Sequence, residues 1–289
     1  MKFFTAGTSK RLEKFIHEKC SAIGFLYTYF NLMKKNELDE QDIGKCIFLD
    51  SGAFTAYTKG APIDIQRYIS FIKKYEKDLF CYANLDVIGD VEGTWENQKI
   101  MEDAGLNPLP VFHSGEPWKY LDKCLEYDYF ALGGLAADSH INKKINFFDT
   151  CFDVICDTPD RKPKTKVHGF GVSSFLWMLR YPFYSCDSTG WLKKANLDVI
   201  IYLFACRNER ELDFSKILEV PIGRSQPFPS FLLEKKVYEK EIFSRYGIDR
   251  NSLVEDYKER EKLNCAAIDL FVKNADFKVD FKAKRRKLF

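Results

Sequence analysis

Three aspartates and two histidines each stand at the end of a short apolar run. Asp50-Ser51-Gly52 closes "CIFL" (46–49), and Asp86 closes "LFCYANL" (79–85). His113 ends "PLPVF" (108–112), His168-Gly169 lies in "KVHGFG" (166–171), and Asp187 ends "FYSC" (183–186). Gly133-Gly134 takes the same place after "YFAL" (129–132). Carboxylates brought together suit glycosidic chemistry, in which one attacks the anomeric carbon and another moves protons. They also suit metal-assisted hydrolysis, but the His-x-His and Glu clusters of such sites are absent, so no metal is expected. Each residue has a plainer use as well. An Asp after a strand caps the next helix or closes an Asx-turn. A single His is often a hydrogen-bonded packing residue. Gly-Gly makes a tight turn, or lets backbone approach a flat ligand. Three aspartates and two histidines at equivalent places favour the chemical reading.

The elements that would position these residues follow from the pattern around them. Nine apolar or β-branched runs recur, from "KFFTAG" (2–7) through "GFLYTYF" (24–30) to "DVIIYLF" (198–204). Helical spacing lies between many of them, over 64–77, 92–105, 116–127 and 172–181. Strands alternating with helices predict a parallel sheet. About eight such units predict a (β/α)8 TIM-like barrel, although an open doubly wound sheet gives a similar string. A barrel presents its chemistry at the C-terminal ends of the strands, so the polar strand ends converge on one face. No GxGxxG follows the first strand and no GxxxxGK[ST] occurs, which disfavours those modes of nucleotide binding.

A chain of 289 residues suits one such barrel, and 46% hydrophobic residues suffice for its core. The net charge of +2 does not by itself announce a polyanion partner. The nine cysteines are odd in number and lack C-x-x-C spacing, so they read as reduced, buried thiols of a cytoplasmic protein. No secretory segment opens the chain and no apolar stretch is long enough to span a membrane. After residue 229 the pattern becomes amphipathic helices over 230–247 and 251–275, followed by a basic tail. The expected organisation is therefore a barrel over 1–229 and C-terminal helices with a tail over 230–289. Residues 273–289 carry seven basic and two acidic side chains, a local charge of +5. That tail is either solvated or in contact with nucleic-acid phosphates. Lys284, Arg285 and Arg286, together with Arg207, Arg210 and Arg224, are the candidate phosphate contacts.

The ordered motifs "LDSGAF" (49–54), "NLDVIGD" (84–90), "ALGGL" (131–135), "HGFGVSS" (168–174) and "SCDST" (185–189) resemble the tRNA-guanine transglycosylase superfamily over residues 48–190. Within it the chain is most similar to the short, phage-type 7-deazaguanine DNA transglycosylases, which exchange guanine in DNA for a base such as preQ0. The zinc cluster of the tRNA enzymes is missing, and their Gly-Gly-Phe-Gln has become Gly52-Ala53-Phe54-Thr55. The resemblance implies that Asp187 is the nucleophile at C1′ and that Asp50 handles protons on the bases. It implies that Ser51 and Asp86 bind the purine and that Gly133 and Gly134 approach its edge. It places His113 where the family uses Gln, and His168 and Gly169 in the pocket wall. Phe54, Tyr57 and Trp191 are candidates for stacking on a flipped base. No cofactor is implied. The alternatives are exchange in tRNA, a non-catalytic nucleic-acid-binding relative, and an unrelated barrel hydrolase or lyase acting on a small molecule.

Overall fold

The period-two alternation of a strand appears at once in β1 (Lys2–Thr5). Phe3 packs outward with Leu12 and Ile16, while Phe4 packs inward with Leu26, Phe48 and Ala131. The computed structural model describes residues 1–135, 140–206, 211–222 and 235–275. Seven further parallel strands join β1: β2 (Ile23–Thr28), β3 (Ile47–Asp50), β4 (Leu79–Tyr82), β5 (Val111–His113), β6 (Tyr129–Gly133), β7 (Lys166–Gly169) and β8 (Ser185–Ser188). Their order in the sheet is β4-β3-β2-β1-β8-β7-β6-β5. Sequence neighbours are thus spatial neighbours, and β1 lies against β8 with Phe4 opposite Asp187. The sheet is curled. Its edge strands β4 and β5 share no ladder but meet at one parallel bridge, Ala83 to Leu109. Asn84 N–H donates to the Leu109 carbonyl (3.0 Å) and Leu109 N–H to that of Tyr82 (2.8 Å) there.

Helices cover the outside of the sheet. The helix Ile65–Tyr75 starts at Asp64, whose carboxylate accepts from the N–H groups of Gln66 and Arg67. Val91–Asp103 starts at Asp90 in the same way. The helices expected over 116–127 and 172–181 shorten to Lys119–Cys124 and Phe175–Arg180. The long helix Ile141–Ile155, which sequence spacing did not single out, buries Phe148, Cys151 and Phe152.

The run "DVIIYLF" departs from expectation. It forms β9 (Val199–Ala205), paired antiparallel with β10 (Leu212–Pro221) in a hairpin outside the parallel sheet. Both faces of its central segment are buried, which gives a hairpin strand the continuous apolar look of a parallel one. The final helix, Tyr257–Asn274, packs on β9 and on the helices Lys10–Lys19 and Gly190–Asn196. Its Asn264 bonds the β9 backbone at Ile201 (2.7 Å) and its Asp269 bonds Ala22 N–H (2.8 Å). The helix expected over 230–247 is described from residue 235. There a short turn, Lys236–Tyr238, continues as a π-helical segment, Glu239–Ser244. All nine cysteines are free; six are buried as expected, whereas Cys81 and Cys206 are half-buried and Cys46, just before β3, is exposed. Among the described residues no helix is long and apolar enough to cross a membrane.

Candidate functional site

The C-terminal ends of the strands surround a pocket of about 740 Å³. Asp50 and Ser51 line it from the end of β3, Asp86 from beyond β4, His113 from β5, and Gly133 and Gly134 from β6. Phe170, just after β7, and the exposed ring of Phe54 also line it.

The turn after β3 explains the glycine in Asp-Ser-Gly. Gly52 has φ +78°, and a Cβ there would stand 2.3 Å from Thr28 Cγ2 and 2.6 Å from Phe30 Cβ. Only glycine reverses the chain this tightly and starts the helix Ala53–Thr58. Asp50 is thereby held at the pocket wall. Burial pushes its carboxyl up to about 7, with the charges of Asp86 and Asp187 adding to the rise, while the N–H groups of Gly52 and Ser51 oppose it.

Asp86 is bound by an imidazole. His113 Nε2 lies 3.2 Å from Asp86 Oδ2, and His113 Nδ1 lies 3.1 Å from Glu116 Oε1. Glu116 Oε2 also accepts from the His113 backbone N–H (3.0 Å). Burial disfavours charge on the ring, but Asp86 and Glu116 outweigh it and raise the histidine to about 10. His113 is therefore an imidazolium between two carboxylates. The other oxygen of Asp86, Oδ1, is buried and has no hydrogen-bond partner among the described residues. It is an acceptor that a ligand N–H would satisfy. Gly133 at the end of β6 and Gly134 just after it make room for this ring and its turn. A Cβ at Gly133 would come within 3.1 Å of His113 Cδ2, and one at Gly134 (φ +78°) within 2.9 Å of Ser114 N.

Asp187 is not among the residues lining this pocket. It is mostly buried on β8, and its Oδ1 accepts from Gly171 N–H (2.9 Å), which ties it to the turn whose Phe170 forms the pocket's edge. His168 Nε2 lies 3.3 Å from the same oxygen. His168 is fully buried and does not line the pocket. Gly169 also stays out of it, packed against Val172 and Phe183.

Of the aromatic candidates, Phe54 and Tyr57 are exposed, and Phe54 alone lines the pocket. Trp191 is buried in the core, its indole N–H without a partner among the described residues, so it cannot stack on a flipped base. Its place on the inner face of the short helix Gly190–Asn196 puts it there. Arg207, Arg210, Arg224, Lys284, Arg285 and Arg286 lie outside the described residues. Among the described residues, no three His, Cys, Asp or Glu side chains group to hold a metal ion.

Glu116, Ser185 and Tyr129 were not singled out from sequence. The signal for Glu116 was its turn: His-Ser-Gly-Glu, directly after a strand, returns the carboxylate to the His113 N–H. Ser185 and Tyr129 were marked only by alternation, each two residues from an inward-facing neighbour. No protein-family model and no curated protein matches the sequence.

Proposed function

We propose that the chain is a base-exchange transglycosylase that replaces guanine in DNA by a 7-deazaguanine such as preQ0. The observation that carries this reading is the carboxylate set. Asp50 is raised to about 7 by burial and by Asp86 and Asp187, so a proton donor and a carboxylate nucleophile stand within electrostatic reach of each other. Asp86, with one oxygen held by His113 and the other unpartnered, suits the N–H donors on the Watson–Crick edge of a guanine-like base. A base and its C1′ are adjacent, not coincident, so a base pocket with Asp187 beside it suits the reaction.

In the first half-reaction an Asp187 oxygen bonds C1′ and the C1′–N9 bond breaks. The electron pair of that bond passes to the purine, and Asp50 gives its proton to a ring nitrogen. Guanine leaves and the sugar stays on Asp187 as an ester. In the second half the incoming deazapurine loses its ring N–H proton to Asp50, its nitrogen bonds C1′, and the ester oxygen departs with the bonding pair. No ATP or cofactor is consumed. The target nucleotide must be flipped or single-stranded, and the exposed ring of Phe54 at the pocket suits stacking on it.

The test offers radiolabelled guanine or preQ0 to DNA and to tRNA in parallel, with Asp187→Ala as control. Label entering DNA alone, and lost in the variant, supports the reading. Label entering tRNA moves the substrate to RNA. Label in neither polymer removes the activity.

A further inference from the structure

Beneath Asp187 a line of polar side chains runs through the otherwise apolar interior of the curled sheet. His168 Nε2 meets Asp187 Oδ1 at 3.3 Å, His168 Nδ1 meets Ser185 Oγ at 2.6 Å, and Ser185 Oγ meets the Tyr129 hydroxyl at 2.6 Å. The register builds this line. Ser185 is the partner of His168 across β7 and β8, and Asp187 projects to the same side two residues on. Tyr129 opens β6, two residues before Ala131, the partner of His168 on its other side. The rings of Phe4, Phe48 and Phe170 pack edge-on around the imidazole at 6.2, 4.6 and 4.6 Å. His168 and Ser185 are both completely buried.

We propose that Tyr129, Ser185 and His168 form a one-way hydrogen-bond chain that delivers an Nε2–H to Asp187, making His168 the positioning residue for that carboxylate. The direction follows from counting protons. A carboxylate only accepts, so Nε2 carries the hydrogen. Burial among phenyl rings disfavours a second proton on the imidazole, and only Asp187 opposes that effect. Nδ1 is then an acceptor, and among the described residues Ser185 is the hydroxyl against it. Having spent its single proton on Nδ1, Ser185 accepts from Tyr129. Gly171 N–H completes the hold on Asp187 Oδ1 (2.9 Å), so both donors grip one oxygen and Oδ2 remains for other contacts.

This inference rests on the proposed function only where it speaks of rate, because the chain itself is a property of the resting protein. Two measurements separate the two. The first is a long-range proton–nitrogen spectrum of the full chain labelled at histidine, with the His168 signals assigned by their loss in His168→Asn. The expected result is one Nε2–H tautomer of His168, unchanged between about pH 5.5 and pH 8, which drifts toward a mixture in Ser185→Ala. An Nδ1–H tautomer or an imidazolium in the wild type overturns the chain, and so does a Ser185→Ala spectrum with His168 unmoved. The second is base exchange by Ser185→Ala and Tyr129→Phe. Loss of the serine should lower kcat about tenfold with KM nearly constant, as for one hydrogen bond that orients the nucleophile. Tyr129→Phe should lower it by less. A change in KM with kcat intact overturns the positioning role. Absence of exchange in the wild type removes the proposed function and leaves the spectrum to decide the chain.

Discussion

His113 Nε2 reaches Asp86 Oδ2 at 3.2 Å across the junction where β4 and β5 share no ladder. The imidazolium holds one carboxylate oxygen while the other is free to accept. Replacing the ring by an amide keeps a donor and removes a charge, so it separates the two contributions.

His113→Gln tests the charge through stability. The folded-state pKa is raised from 6.5 to about 10. Its stabilisation is complete below pH 6.5 and is lost as pH rises toward 10, because only the folded state keeps the proton in that window. The slope approaches about 1.4 kcal/mol per pH unit there. Urea midpoints of wild type and His113→Gln across pH 6 to 10 should converge as pH rises. Parallel curves would mean that the ring is not the charged partner of Asp86.

Asp50→Asn should raise stability at neutral pH while stopping base exchange. The folded pKa is raised from 3.8 to about 7, so the unfolded chain ionises first and the folded state loses ground from pH 4 to pH 7. The amide escapes that loss. The gain should be absent at pH 4 and full by pH 7.5, and in the wild type exchange should fall as pH rises through about 7. A variant no more stable at pH 7.5 than the wild type would contradict the buried-acid account.

Gly52→Ala should cost about 3 kcal/mol in urea unfolding. A left-handed φ costs an alanine about 1 kcal/mol, and a methyl 2.3 Å from Thr28 Cγ2 forces the turn apart. The companion Thr28→Ala removes the nearer obstacle and should recover part of the loss. No recovery in the double variant would show that strain, not crowding, dominates.

Phe54→Ala and Trp191→Phe should behave oppositely to their sizes. Phe54 is 60% exposed, so its loss should change stability by less than about 0.5 kcal/mol yet weaken binding of single-stranded DNA by about 1 kcal/mol or more. Trp191 is in the core, away from the pocket, so Trp191→Phe should leave DNA binding unchanged. Fluorescence titration with an oligonucleotide reads both, and equal weakening would remove Phe54 from the stacking role.

The strand-end pattern made much of the site legible. Apolar runs ending in Asp50, His113 and Asp187 put these residues toward the C-terminal ends of parallel strands, where Asp50 and His113 line the pocket and Asp187 stands outside its lining. What sequence could not weigh was burial at single positions. Trp191 and Phe54 look alike as aromatic residues after a strand, yet one faces the core and the other the pocket. His168 and His113 look alike as well, but one ring lies among phenyl groups and the other between two carboxylates. The run in β9 misled because its burial on both faces imitates a parallel strand. Glu116 stayed hidden because its partner is set by a turn, not by periodicity.

The single bridge between Ala83 and Leu109 gives the curled sheet a seam. Every other junction in it is stitched by a ladder of at least two residue pairs. Asp86 and His113 stand on opposite lips of that seam. Sheets open most readily where the fewest bonds must break, so this seam is where the wall of the pocket is least tied together, while Asp187 is anchored two strands or more away. A guest that engages both lips would act as a rivet.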